Sequence, residues 1–500
     1  MASNEEAVSE AVPRHVFEAA LAAKDAEIAA RDARIQELET VVAVMTEQIA
    51  ALMKQVEQLT ERLNQNSSNS NRPPSSDPPG TPRPGATATG KGGGKRKRGG
   101  QPGHQGRRRE LVPESQVDEF VDLYPPQCEN CWADLPEKPD PAPDRYQHIE
   151  LPPIKPHTTE VRRHTVKCPG CGHRTCSAYD ADKIPVSPFG PRLMSVIALL
   201  TGVYHLSRRQ TVALLSDVLG IELSLGAVSA VEDRVSKAVV PAVDEAWSQV
   251  KEATVKHTDG TGWLQAGAML SLWTIATASA TVFKIISSGS KKILEPLFGA
   301  LKGILVSDRA AALTFWAMAC RQICFAHLIR KFISFSERDG PAGQIGRELL
   351  ECTGILFEYW HDYREGRLTR EKLREWTAPL RTLVEALLEK AVAANIDGLS
   401  GSCADILEHR AALWTFLDHE NVEPTNNHAE RELRAFVLWR KRCFGSQSER
   451  GNLFAERLMT IAHTARKQHV NVLAFLTACT RAQCEKTTPP ALFALTAAAA

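Results

Sequence analysis

The sequence predicts a multidomain α+β protein, and three observations carry that expectation. Apolar residues recur at intervals of seven near the amino end, two Cys-x-x-Cys pairs follow, and beyond residue 250 β-branched runs alternate with helical periodicity. At 500 residues the chain exceeds what one core usually supports, so several domains and some unstructured connection are expected. A hydrophobic share of 43% suits a folded protein. The chain has no eighteen-residue uncharged apolar run, and its start, Met1-Ala-Ser-Asn-Glu-Glu6, is acidic where a secretory signal would be basic. Both point to a cytoplasmic protein with no membrane partner.

Residues 15–64 carry the first element. Leu21, Ile28, Ile35, Val42, Ile49, Val56 and Leu63 mark one seam position, and Leu38, Met45, Leu52 and Leu59 mark the other, three residues on. Branched residues at the first position with mostly Leu at the second favour a parallel two-stranded coiled coil, hence a homodimer or higher oligomer. Lys24 and Arg31 interrupt the second position in the first two heptads, so the amino end should fray. The alternative is a single amphipathic helix laid on the protein's own core.

Residues 65–110 are rich in Asn, Ser, Pro and Gly and read as a disordered basic linker. Lys91 to Arg109 holds eight Lys or Arg and no acid, including Lys95, Arg96, Lys97, Arg98, Arg107, Arg108 and Arg109. Such a block can neutralise phosphates and release counterions, giving sequence-independent affinity for double-stranded DNA.

Between 111 and 180, Cys128-x-x-Cys131 and Cys168-x-x-Cys171 are spaced as two halves of a closed tetrahedral zinc site. Cys176, His173 and His164 are alternative ligands, because the intervening stretch is longer than in a common zinc ribbon. Residues 188–245 read as helical. There Ser207 to Gly220, followed by Ser224 to Val235, resembles a helix-turn-helix with Gly220 at the turn.

From 250 to 465 the pattern changes to strand and helix. Ala253–Thr258 is extended, Asp259-Gly-Thr-Gly-Trp263 reads as a glycine turn, and Leu270–Ala276 and Thr281–Ser287 read as strands. A helix over Ser290–Leu301 and a buried strand, Gly303–Ser307, complete an order that fits a ribonuclease-H-like fold, a mixed sheet covered by helices. A helical insertion is expected over about 344–419, broken near Pro379 and Gly398, with a C-terminal tail from 466 to 500.

Asp259 follows the first strand, Asp308 closes the last, and Glu430 opens a helix. Three carboxylates so carried can hold two magnesium or manganese ions about 3.5–4 Å apart for phosphoryl transfer. Each acid also has a local reading: Asp259 in a turn, Asp308 as a helix cap, Glu430 in a capping box with Asn427. Arg434 lies one turn after Glu430, and Arg440, Lys441 and Arg442 extend a basic track suited to phosphate. Trp263 and Trp439 are either core residues or platforms for an unpaired base.

The wording around these acids adds a resemblance. Asp259-Gly-Thr-Gly-Trp263, Ser307-Asp-Arg309, Cys324-Phe-Ala-His-Leu-Ile-Arg330, Pro424-Thr-Asn-Asn-His-Ala-Glu-Arg431 and Trp439-Arg-Lys-Arg-Cys-Phe-Gly445 resemble the catalytic blocks of one family. It is the Asp-Asp-Glu transposase family of bacterial insertion sequence sixty-six. Upstream, Asn66 to Asp77 and Gly99 to Gly106 extend the resemblance. It implies Asp259, Asp308 and Glu430 as the catalytic and metal-binding triad, a zinc-binding domain around the cysteine pairs, and a DNA transposase of the nucleoid that cuts element ends and joins them to target DNA. Accessory proteins encoded by the same element are possible partners. Gly260 and His428 depart from the family pattern, which has Glu and a small residue there. The alternatives are an inactive remnant, or a zinc-containing dimeric DNA-binding regulator. Glu432 and Glu449, neighbours of the triad in sequence, are expected to be dispensable.

Overall fold

A computed structural model describes residues 14–70, 77, 110–180, 184–185 and 187–493. The heptad segment is one continuous helix, α1 (Arg14–Asn64). Every seam residue from Leu21 to Leu63 is exposed in the single chain, for example Ile49 at 54% and Leu52 at 59%, so the helix does not lie along its own core. Its carboxyl end touches the body. Lys54 pairs with Asp397 at 2.7 Å, and Arg338 Nε donates to Glu61 at 2.8 Å.

The linker expected to be disordered from residue 65 begins instead as a hydrogen-bonded turn. Asn69 Oδ1 accepts from the Asn66 amide, and Asn69 Nδ2 donates to Glu337 at 2.7 Å and to the Asn64 carbonyl at 3.0 Å. Short Asn and Ser side chains satisfy the backbone groups that the end of α1 leaves open, which is why this polar stretch is ordered. The basic runs Lys95–Arg98 and Arg107–Arg109 lie outside the described residues.

The cysteine region holds a small hairpin, β1 (Thr165–Lys167) and β2 (Arg174–Cys176). Next come α2 (Pro191–Ala198), a π turn (Leu199–Val203), α3 (Arg208–Leu219), α4 (Leu225–Ala238) and α5 (Val240–Glu252). Ser207 and Gln210 form a capping box at the start of α3, and Gly220, at φ 61°, ends it. The expected helix, glycine turn and helix are therefore present. Val228, Val231 and Val235 of α4 are buried, and its first turn, Ser224–Gly226, is exposed.

The sheet comprises β3 (Val255–Gln265), β4 (Ala268–Ala276), β5 (Thr281–Ile286), then α6 (Lys291–Phe298), β6 (Ile304–Ser307) and β7 (Arg321–Ile323). Its order is β5-β4-β3-β6-β7. The first three strands are antiparallel, and β6 and β7 run parallel to β3. One correction concerns Asp259-Gly-Thr-Gly-Trp263, which is not a turn but the middle of β3. The turn falls at Ala266 and Gly267, both at positive φ, as a two-residue hairpin requires. Gly260 is needed for space: a Cβ there would lie 2.8 Å from the Trp273 ring on β4.

A helical insertion follows α7 (Phe325–Ser336): α8 (Gly340–Arg364), α9 (Arg370–Ala393), α10 (Ser400–Glu408) and α11 (Thr415–Asp418). Pro379 does not break α9. It and Glu375 face solvent, so the carbonyl that loses its helical partner stays in water. The breaks fall at Gly366 and Gly398, each at φ 74°. The insertion covers the edge strand β7. Gln322 Nε2 donates to the Leu413 carbonyl, its Oε1 accepts from the Phe416 amide, and Thr415 donates to the Arg321 carbonyl.

The chain closes with α12 (Asn427–Cys443), α13 (Glu449–Lys467) and α14 (Val472–Glu485). Residues 466–485 are thus not a tail. Phe475, Leu476 and Cys479 of α14 are buried in the core that α2, α4, α12 and α13 share with one face of the sheet. α5 and α6 cover the other face through Val250, Leu294 and Phe298. Trp263 and Trp439 both sit in the first of these cores, their rings edge to face at 5.9 Å, which assigns them to packing rather than base stacking. No described helix is long and apolar enough to cross a membrane.

Candidate active site

The parallel register of β3 with β6 sets His257 opposite Val306, so two residues further on Asp259, still within β3, is level with Asp308, just past the end of β6. Asp259 and Asp308 therefore stand side by side. Glu430 reaches them from the first turn of α12, and one buried residue sets that approach. Asn426 Nδ2 donates to the Thr258 carbonyl at 2.7 Å, its Oδ1 lies 3.3 Å from His257 Nδ1, and its amide donates to Cys324 Sγ at 3.1 Å. Asn426 is the N-cap of α12 but makes no side-chain cap bond, so the expected capping box from Asn427 is absent. Its polar atoms join β3, α7 and α12 instead.

The three acids share too little positive charge. Burial, then the neighbouring Asp308 charge, pushes the Asp259 carboxyl up to about 7; Glu430 adds to the rise, while the Gly260 amide and Arg330 oppose it. Glu430 Oε1 lies 3.4 Å from Arg330 Nη2 and 3.7 Å from His327 Nδ1, both on the first turns of α7. Asp308 Oδ1 accepts from the Ala310 amide at 3.0 Å, an Asx turn rather than the expected helix cap, because only a 3-10 turn, Ala311–Leu313, follows and Ala310 is its N-cap without a side-chain cap bond. Behind it the wholly buried Arg321 donates from Nη2 to the Asp308 carbonyl at 3.0 Å and to Ser307 Oγ at 3.2 Å.

Cys324, His327 and Arg330 fall at intervals of three on one helical face, a spacing readable in the sequence. Cys324 is buried, and burial pushes its thiol up to about 11 against the pull of the Asn426 and His327 amides. The ligand atoms of Cys324, His327 and Glu430 all lie within 4.8 Å of one another, the one such group among the described residues. The four knuckle thiols do not converge in this way.

Each knuckle is nevertheless formed. The Cys128 amide donates to the Ala133 carbonyl and the Trp132 amide to the Cys128 carbonyl; Cys168, His173 and Gly172 repeat the pattern. Trp132 at φ 60° and Gly172 at φ 75° occupy equivalent positions. Amides of Cys131 and Asn130, and of Cys171 and Gly170, hold the Cys128 and Cys168 thiols below their ordinary pKa.

On α12, Arg434 and Lys441 are exposed. Arg440 is half-buried and donates to the Gly262 carbonyl, so it ties α12 to β3. Glu432 is not a bland surface neighbour. It pairs with His463, with Lys467 at 3.1 Å and with His428 at 3.4 Å. Burial would raise its carboxyl pKa, but the bonds from His428 and His463 and the Lys467 charge outweigh burial and hold it far below the usual carboxylate range. His428 is part of this network.

The model of the Transposase IS66 family matches residues 186–453, and that of a family of unknown function, DUF6444, matches residues 25–110. No curated protein matches the chain. The first match takes in the sheet, the insertion and all three acids, over more than half of the 500 residues. The chain belongs to the IS66 family of transposases.

Proposed function

We propose that the protein cuts DNA at the ends of an insertion sequence and joins the freed ends to target DNA, with Asp259, Asp308 and Glu430 as the catalytic acids. The observation that carries this reading is the shared cleft, in which Asp308 and Glu430 both push the Asp259 carboxyl upwards. Neighbouring carboxylates that oppose one another's ionisation fit a divalent cation, and hard oxygen donors suit magnesium or manganese. When bound, such ions activate the attacking oxygen and neutralise charge on the phosphate. The chain's own residues do the rest. Asn426 fixes Glu430 against β3, Arg321 fixes the end of β6, and the exposed Arg434 and Lys441 offer phosphate contacts along α12.

The sheet order, three antiparallel strands followed by two parallel ones, supports a ribonuclease-H-like catalytic domain. Each formed knuckle offers two thiols, which supports one structural zinc that draws Cys128, Cys131, Cys168 and Cys171 together on binding. The exposed seam of α1 supports dimerisation by a coiled coil. The exposed first turn of α4 supports a DNA-reading role for the α3–α4 pair. The decisive assay is magnesium-dependent cutting and joining of DNA that carries the element's ends. Binding without cutting by the full chain would favour the regulator over the transposase reaction.

A further inference from the structure

Cys324 is the N-cap of α7 and His327 lies in its first turn, so one helix start aims a thiol and an imidazole at Glu430 on α12. His327 Nδ1 is buried and has no hydrogen-bond partner, and its 3.7 Å to Glu430 Oε1 is too long for such a bond. A buried imidazole nitrogen facing a carboxylate without bonding to it is left unsatisfied, a cost that a bound cation removes. The sulfur lies within 4.8 Å of both other ligand atoms. Zinc bonds of about 2.3 Å to sulfur and about 2.0–2.1 Å to nitrogen place tetrahedral ligands roughly 3.3–3.8 Å apart, so closure needs a contraction of about 1 Å.

We propose that Cys324, His327 and Glu430 form a regulatory site for a thiophilic divalent ion such as zinc, distinct in donor set from the all-oxygen site but sharing Glu430 with it. Thiolate and imidazole favour zinc over magnesium. Occupancy displaces Arg330 from Glu430 Oε1, releases the Cys324 proton to solvent, and withdraws Glu430 from Asp259 and Asp308. Zinc therefore competes with catalysis through the one carboxylate that the two sites share. This inhibitory consequence rests on the proposed catalytic role of Glu430, whereas the binding site itself does not.

The test uses the full chain with its knuckle cysteines already zinc-loaded, and cobalt(II) as the added probe. Wild type should take up one further equivalent with thiolate-to-cobalt charge-transfer absorption. Cys324→Ser and His327→Gln, each shown folded by its melting curve, should bind that equivalent at least tenfold more weakly, and the absorption should vanish in Cys324→Ser. Equal uptake by wild type and both variants, or uptake without the thiolate band, overturns the site. In DNA cleavage with magnesium, added zinc should inhibit wild type at least tenfold more strongly than His327→Gln, and equal inhibition overturns the competition. A chain that cuts no DNA without added zinc defeats the transposase reaction instead, and the cobalt titration still decides the site.

Discussion

Glu430 and Glu432 stand two residues apart on α12, yet the protein treats them in opposite ways. Glu432 faces α13 and is surrounded by His463, Lys467 and His428, so its charge is more than matched. Glu430 faces the cleft with only loose contacts to Arg330 and His327, beside two further acids. A carboxylate that serves the fold is compensated within the chain. Glu430, the proposed metal ligand, is left short of positive charge, at a cost in stability.

The sharpest way to break this comparison is to replace each acid by its amide. Glu430→Gln should lower cleavage and joining by about 10³-fold or more, about 4 kcal/mol in barrier, without lowering the melting temperature. Glu432→Gln should do the reverse, costing about 3 kcal/mol of stability because the largely buried Lys467 is left with a weakened partner. Below its melting transition the Glu432 variant should still cut DNA. Cleavage rates and melting curves for both variants check this. A stable but inactive Glu432→Gln would collapse the distinction.

The second test turns on the sign of a pKa shift. Asp259 is raised in the folded protein from 3.8 to about 7, so the native state binds its proton more tightly than the unfolded chain does. Stability should therefore fall as pH rises from about 4 to about 7, by an amount on the order of a few kcal/mol. Asp259→Asn should melt higher than wild type at pH 8 without metal, and near pH 4 the two should converge. Magnesium or manganese should raise the wild-type melting temperature at pH 8 and leave that of the variant almost unmoved. Glu432 works in the opposite sense: its depressed pKa contributes stability above about 4.5 that is lost on acidification.

Strand and helix positions were legible wherever the signal is local. Thr281 to Ile286 and Ile304 to Ser307 read as strands because β-branched runs end at turn residues, and α1 reads as one helix from its heptads. Of the acids, Asp308 follows β6 and Glu430 lies in the first turn of α12 as the pattern suggested, whereas Asp259 lies within β3 rather than at its end. What escaped is what depends on distant partners. Nothing local says that Asn426 bonds to Thr258, that Arg321 is wholly buried, or that Glu432 meets a lysine on α13. The glycines of Asp259-Gly-Thr-Gly misled for the same reason, since Gly260 makes room for Trp273 on the neighbouring strand rather than a turn in its own. Helix α14 was missed because its apolar stripe is short and interrupted by Thr and Cys.

The same contrast between matched and unmatched groups holds for apolar surface. Ile49 and Leu52 are exposed in the single chain, and the proposed coiled coil would cover them. Replacing both with Glu should separate protomers, read as a halved mass by light scattering, while the melting curve of the catalytic body stays in place. An unchanged mass would leave α1 as a solitary helix and remove the coiled coil.

The smallest effect separates two arginines of α12. Arg440 spends its guanidinium on the Gly262 carbonyl, whereas Arg434 is exposed one turn beyond Glu430. Arg434→Ala should weaken DNA binding by several-fold, equally for end and unrelated sequences, because a phosphate contact carries no base information. The slope of log affinity against log salt should fall by about 1. Arg440→Ala should lower the melting temperature, since the tie between α12 and β3 is lost, and leave that slope unchanged. The two assignments exchange if Arg440→Ala alone shifts the salt dependence, because the guanidinium bonded to Gly262 would then have to release the sheet on meeting DNA.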